Sequence, residues 1–161
     1  MSLLLTYLDA IALTERLHRQ FLEIVKVELE NNGTRDVNNV QAMILFNVGN
    51  HDMTIGELTL RGCYLGSNVS YNVKKLVEHG YLGQQRSLHD RRSVRVHLTD
   101  KGTGVRNLVL QMLERHLGQL PQSPLDEQGL AHATATYRRL DRFWAQSVTA
   151  GNRLAPLSSA A

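Results

Sequence analysis

The residues best suited to chemistry in this chain are polar and basic, and they gather between positions 67 and 95. Ser67, Asn68, Ser70, Tyr71, Lys74 and Lys75 are interleaved with Val69, Val73, Leu76 and Val77. At about 100° per residue a helix places the four apolar side chains on one side and Ser67, Asn68, Tyr71, Lys74 and Lys75 broadly opposite. Asparagine can read adenine, and lysine can pair with guanine or phosphate. Serine and tyrosine bond phosphate oxygens, and the free backbone donors of a helix N-terminus also favour an anion. A second group follows at Arg86-Ser87-Leu88-His89-Asp90-Arg91-Arg92, where three arginines surround one carboxylate, with Arg95 expected on the solvent face of a returning strand. Such an arginine suits the narrow minor groove of DNA, where the negative potential is strongest. Asp90 is expected to hold Arg92 across the loop. Each pattern alone also describes a solvated helix face or a charged loop; in direct succession they point to duplex DNA as partner.

Other chemistry finds little support. The single cysteine, Cys63, excludes an internal disulfide framework and a cysteine-based zinc cluster, and reads as a packing residue in a reducing compartment. Seven histidines show no HExxH motif or paired spacing, so no metal or cofactor is expected. No nucleophile–base–orienter pattern or phosphate loop is present, and no catalytic residue is assigned; the chain is expected not to be an enzyme. The formal net charge of +3 and pI near 9.2 suit a polyanionic partner without demanding one.

The elements that must carry these residues follow from periodicity. From Leu3 to Glu30 there is no Gly or Pro, and Leu4, Leu8, Ile11, Leu17, Phe21, Ile24 and Val25 recur at helical spacing. Asn31-Asn32-Gly33 ends that helix, and Asp36 is expected to cap a second, carrying Val37, Val40, Met43, Ile44 and Val48. Thr54-Ile55-Gly56-Glu57 has the reciprocal capping form and starts a short third helix, over by Gly62. Ser67 is expected to cap the fourth, which closes at His79-Gly80. Val94, Val96 and Leu98 then alternate with Ser93, Arg95 and His97 as in a strand with one buried face, completing a hairpin with a long charged tip. Thr99 caps a fifth helix, and Ser123-Pro124-Leu125-Asp126 is expected to start a sixth. The opening Met1-Ser2-Leu3-Leu4-Leu5 is expected to begin a helix of a soluble, cytoplasmic protein and not a targeting or membrane segment, because Asp9, Glu15 and Arg16 interrupt it.

Asp90-Arg91-Arg92-Ser93 followed by Val94 to Gly102, with its Leu98-Thr99-Asp100-Lys101-Gly102 helix start, resembles the wing of the MarR family of bacterial regulators. Leu65 to Ser70 and Leu76 to Leu82 resemble that family's recognition helix and turn, and the element order agrees from about Leu3 to Val148. The resemblance implies a mainly α fold with a small β-wing. A winged helix-turn-helix core over 36–98 would be flanked by dimerisation helices over 1–35 and 99–149; the small, polar and poorly periodic stretch over 150–161 is itself expected to be a disordered tail. It further implies a homodimer on a pseudo-palindromic site, with a recognition helix at about 67–79 and a wing at about 84–97. Arg92 would enter the minor groove, and the usual output would be repression. A small effector is implied between dimer arms and reading heads, for which Arg16, His18 and Arg19 are chemically suitable. Tyr71 and Lys75 stand where many relatives carry arginine, so the operator sequence does not carry over. The competing reading is a winged-helix module for protein–protein association, in which Lys74, Lys75 and Arg92 would serve only solubility.

Overall fold

The computed structural model describes residues 2–62, 66–86 and 94–149. Expectations for Cys63, for the wing-tip residues Asp90, Arg91 and Arg92, and for the tail over 150–161 lie outside the described residues, as do those for the side chains of Ser67 and Arg86. Six helices and three short strands are described: α1 Leu3–Asn31, α2 Asn39–Val48, β1 Met53–Thr54, α3 Ile55–Gly62, α4 Gly66–Glu78, β2 Leu82–Arg86, β3 Val94–Leu98, α5 Asp100–Gln119 and α6 Glu127–Thr149, with a 3-10 turn at Leu120–Gln122 before α6. The fold is thus mainly α with a small antiparallel sheet, as the sequence predicts. The chain divides into two compact units, one reaching Arg115 and one starting at His116.

Within the first unit, α1 begins at Ser2, whose hydroxyl accepts from the Leu5 amide at 3.4 Å. It ends where Gly33, at φ 71°, lets the amides of Gly33 and Thr34 turn back onto Glu30 and Leu29. Asp36 does not cap α2. The cap is Asn38, whose side chain accepts from the Gln41 amide at 2.9 Å while Gln41 Oε1 accepts from the Asn38 amide at 3.1 Å. A reciprocal pair satisfies two free donors, which a lone Asp36 two residues earlier would not. Val37, expected inside α2, is buried just before it.

Ile44, Leu45 and Val48 of α2, Leu58 of α3, Val69, Val73 and Leu76 of α4, and Val96 of β3 meet in one core. Val25 and Leu29 join it from the last turns of α1, and Val105, Val109 and Met112 from α5. Arg115 of α5 also reaches Glu28 of α1 at 2.6 Å. Most of α1 has no such cover: Leu3, Leu4, Leu5, Leu8 and Leu17 are exposed in the single chain.

The sheet has the order β1-β3-β2, all antiparallel. β2 and β3 pair in register from Leu82↔Leu98 to Arg86↔Val94, the hairpin the sequence predicts. The two-residue β1, paired Met53↔Val96 and Thr54↔Arg95, was not foreseen, and it puts β3 in the centre. Thr99 caps α5 as expected, its hydroxyl oxygen accepting from the Gly102 amide at 3.1 Å. At the other end of the chain, α6 starts later than the sequence reading has it. Asp126 is its cap, accepting from the Gly129 amide at 2.6 Å, while Ser123 instead closes the preceding 3-10 turn onto the carbonyl of Leu120. Ser67 likewise lies inside α4, not before it.

Candidate nucleic-acid interface

Helix α4 is held from below and free above. Val69, Val73 and Leu76 lock one face into the core, and α3, starting with the Thr54–Glu57 capping pair, packs beside it. Arg61 near the end of α3 donates to the Asn47 carbonyl of α2 at 2.9 Å, fixing the angle between the two short helices. The opposite face of α4 presents Asn68, Ser70, Tyr71 and Lys74 to solvent, with Tyr71 62% exposed. Of the residues that the helical spacing sets opposite the core, Asn68, Tyr71 and Lys74 share this surface, while Lys75 is half-buried.

Its charges are not idle. Lys75 lies 2.9 Å from Glu78 and Lys74 lies 4.0 Å from the same carboxylate. The hydrogen bond from Lys75 holds the Glu78 carboxyl below its ordinary range, and the same bond raises the Lys75 ammonium. Both stay charged at neutral pH, so any other anion that Lys75 binds competes with Glu78.

The helix ends in a turn that aims the next element. With Gly80 at φ 75°, the amides of Gly80 and Tyr81 fold back onto Val77 and Leu76 at 3.0 and 2.8 Å, and β2 departs at once. A cluster missed by sequence reading locks this corner. The Tyr81 hydroxyl donates to Asp36 at 2.6 Å, and Lys101 reaches the other oxygen of Asp36 at 3.0 Å and the His79 carbonyl at 3.2 Å. The Lys101 ammonium also stands 4.0 Å above the Tyr81 ring. The Tyr81 and Lys101 hydrogen bonds hold the Asp36 carboxyl low, while burial and then Asp36 push the Tyr81 phenol up. Asp36, Tyr81 and Lys101 are far apart in sequence, and no local spacing joins them.

In the wing base, Arg95 is not simply presented to solvent. Its guanidinium donates to the Asp52 carbonyl at 2.6 Å and stands 3.9 Å from Glu57. Arg86 closes β2 opposite Val94.

The three effector candidates separate. His18 lines a groove of about 780 Å³ with Phe21, Leu22, Val40, Met43 and Arg61, a groove that also reaches Asn68, Tyr71 and Asn72 of α4. Arg16 and Arg19 do not line it, and Arg19 faces Glu15 at 3.8 Å. Residues 16, 18 and 19 cannot share one face of a helix turning about 100° per residue. Among the described residues, no three His, Cys, Asp or Glu side chains gather as a metal site requires.

Two short helices, the second outward-facing and followed immediately by the β2–β3 hairpin, define the winged helix-turn-helix class. Residues 37–102 match the winged helix DNA-binding domain model. The chain is 32% identical over 148 residues to the exopolysaccharide II synthesis transcriptional activator ExpG of Rhizobium meliloti strain 1021, a match covering 92% of this chain and 76% of that protein. Its fold is similar to the crystal structure of the regulator SlyA (TM-score 0.74, 16% identity, covering 89% of this chain and 99% of that one). It is similar also to Streptococcus pneumoniae FabT in complex with DNA (TM-score 0.68, 20% identity, 87% and 98% covered) and to E. coli MarR in complex with operator DNA (TM-score 0.69, 17% identity, 87% and 99% covered). The chain belongs to the MarR family of winged helix-turn-helix transcription regulators.

Proposed function

We propose that the chain acts as a homodimer on a pseudo-palindromic duplex, each protomer laying α4 in the major groove and its wing in the adjacent minor groove. The observation that carries this is the outward Asn68, Ser70, Tyr71 and Lys74 face of α4, joined through the rigid Gly80–Tyr81 corner to the β2–β3 wing. Asn68 and Lys75 read base edges, and Ser67, Ser70, Tyr71 and Lys74 position the helix on phosphates. The Arg86, Arg91 and Arg92 side chains serve the wing, with Asp90 orienting Arg92. Two-fold symmetry sets half-site centres about 10 bp apart.

Dimerisation is supported by the uncovered leucines of α1 and by Tyr137, Phe143 and Val148 exposed on α6. The arms are then residues 1–35 and 99–149, and the reading head 36–98. The groove lined by His18 is the candidate effector site, because an occupant would touch Asn68 and Tyr71 directly. The chain is then a regulator without catalytic activity, working in the cytoplasm where its DNA is. No helix among the described residues is long and apolar enough to cross a membrane. The sign of its output depends on where the site lies relative to a promoter.

Selection of bound fragments from a random duplex pool at physiological salt tests the reading. A recovered pseudo-palindrome whose affinity falls steeply with salt supports it. No enrichment, together with a salt-insensitive protein partner, replaces it with the protein-association reading.

A further inference from the structure

We propose that Arg95 is a positioning residue that straps the wing to the start of α3 and makes no contact of its own with DNA. The proposal rests on the wing reading above.

A two-stranded hairpin is marginally stable by itself, so the angle at which β2–β3 leaves the body must be held by something else. The β1 ladder offers two residue pairs, and one of them is Thr54↔Arg95. Directly across that pair the Arg95 guanidinium donates to the Asp52 carbonyl at 2.6 Å and faces the Glu57 carboxylate at 3.9 Å. Glu57 is itself fixed, since its Oε2 accepts from the Thr54 amide at 2.6 Å and its own amide donates to Thr54 Oγ1 at 3.1 Å. The Thr54 amide bond leads the causes that hold the Glu57 carboxyl low, so it stays an anion. One planar guanidinium therefore spans the central strand of the sheet, the backbone just before α3 and the first-turn acid of α3. Unlike the lysines of α4, which pair only with a side chain of their own helix, Arg95 is bound to the backbone of another element, so leaving for a phosphate would cost the wing its tie. Because α3 packs on α4, the strap refers the wing to the reading helix and so sets where the wing tip meets the minor groove.

The sign of the Glu57→Gln effect distinguishes the two roles. Glutamine keeps the capping bonds of α3 but weakens the hold on Arg95. Affinities of the full-length protein for sites with A·T-rich and G·C-rich flanks are compared, because their ratio reports the wing and is insensitive to uniform charge effects. If Arg95 is a strap, Glu57→Gln and Arg95→Gln both lower the ratio several-fold, and adding Arg95→Gln to Arg92→Ala costs nothing further. If Arg95 touches DNA, Glu57→Gln frees it and raises the ratio, and the Arg92 and Arg95 losses multiply; either result overturns the proposal. Should Arg92→Ala leave the ratio unchanged, the wing reading itself fails. The strap is then decided in the free protein by amide exchange over Met53 to Thr54 and Val94 to Leu98. Faster exchange in folded Arg95→Gln supports it, and parental exchange rates overturn it.

Discussion

At Gly102 a methyl group would lie 2.1 Å from the backbone carbonyl oxygen of Tyr81 and 3.2 Å from Leu98 Cδ2. A carbonyl fixed in a turn cannot step aside, so the glycine of the Leu-Thr-x-x-Gly start is there to let α5 touch the α4–β2 corner. Thr99 works at the same point, its amide donating to the Tyr81 carbonyl at 3.2 Å and its hydroxyl to the Gly80 carbonyl at 2.7 Å. Gly102→Ala should destabilise by about 1–3 kcal/mol, the usual cost of overpacking. Gly104→Ala, where nothing lies within 4 Å, should stabilise by up to about 1 kcal/mol through helix propensity. Thermal melting of the two variants checks both, and parental stability in Gly102→Ala would refute the close approach. Asp36 yields a pH prediction. Its folded carboxyl titrates below the ordinary value, so its contribution is present above the ordinary carboxylate pKa and is lost as pH falls through that range. The stability gap between the parent and Asp36→Asn, measured by denaturant unfolding, should therefore be open at pH 7 and narrow towards pH 3; a gap independent of pH would show that the carboxylate charge does not matter there.

For the elements, legibility followed the reach of each signal. Helix spans came through because their cores recur every three to four residues, and the α3 start because Thr54 and Glu57 are three apart. The α2 start did not, because Asp36 looks like a cap until Gln41 is seen to answer Asn38, while Asp36 itself is taken by Tyr81 and Lys101. β1 has no period to read, since two residues become a strand only by meeting Val96 and Arg95 some forty positions on. For the same reason Arg95 reads as a solvent-facing cation in sequence and proves tethered in space. The outward face of α4 was legible, but its competition was not: Glu78 holds both lysines. Lys75→Ala should lower specific affinity about tenfold and relax preference at one position per half-site. Glu78→Gln should tighten binding, since it releases Lys75 and removes a repelled carboxylate. Titrations on a selected site and its single-base variants test the pair, and weaker binding by Glu78→Gln would show that the carboxylate orients Lys75 for DNA.

For the whole molecule, deleting α1 is a poor test of association, since Val25 and Leu29 at its C-terminal end belong to the core. Leu4→Glu with Leu8→Glu leaves those residues in place and puts charge where the exposed leucines are. Sedimentation should show a folded monomer for this variant and a dimer for the parent at micromolar concentration; a dimeric variant would move the interface elsewhere.

The same distribution of burial along α1 has a mechanical consequence. Rooted in the core through Phe21, Val25 and Leu29, the helix projects some 18 residues from Phe21 to Leu3, about 27 Å at 1.5 Å per residue. A tilt of about 7° at the root displaces the tip by about 3 Å, nearly the rise of one DNA base pair. In the proposed dimer, with the tips clasped to a second copy, the displacement would appear instead at the reading heads. A shift of a few tenths of an ångström among the side chains at the root would then be geared up into a misfit between two helices and two grooves.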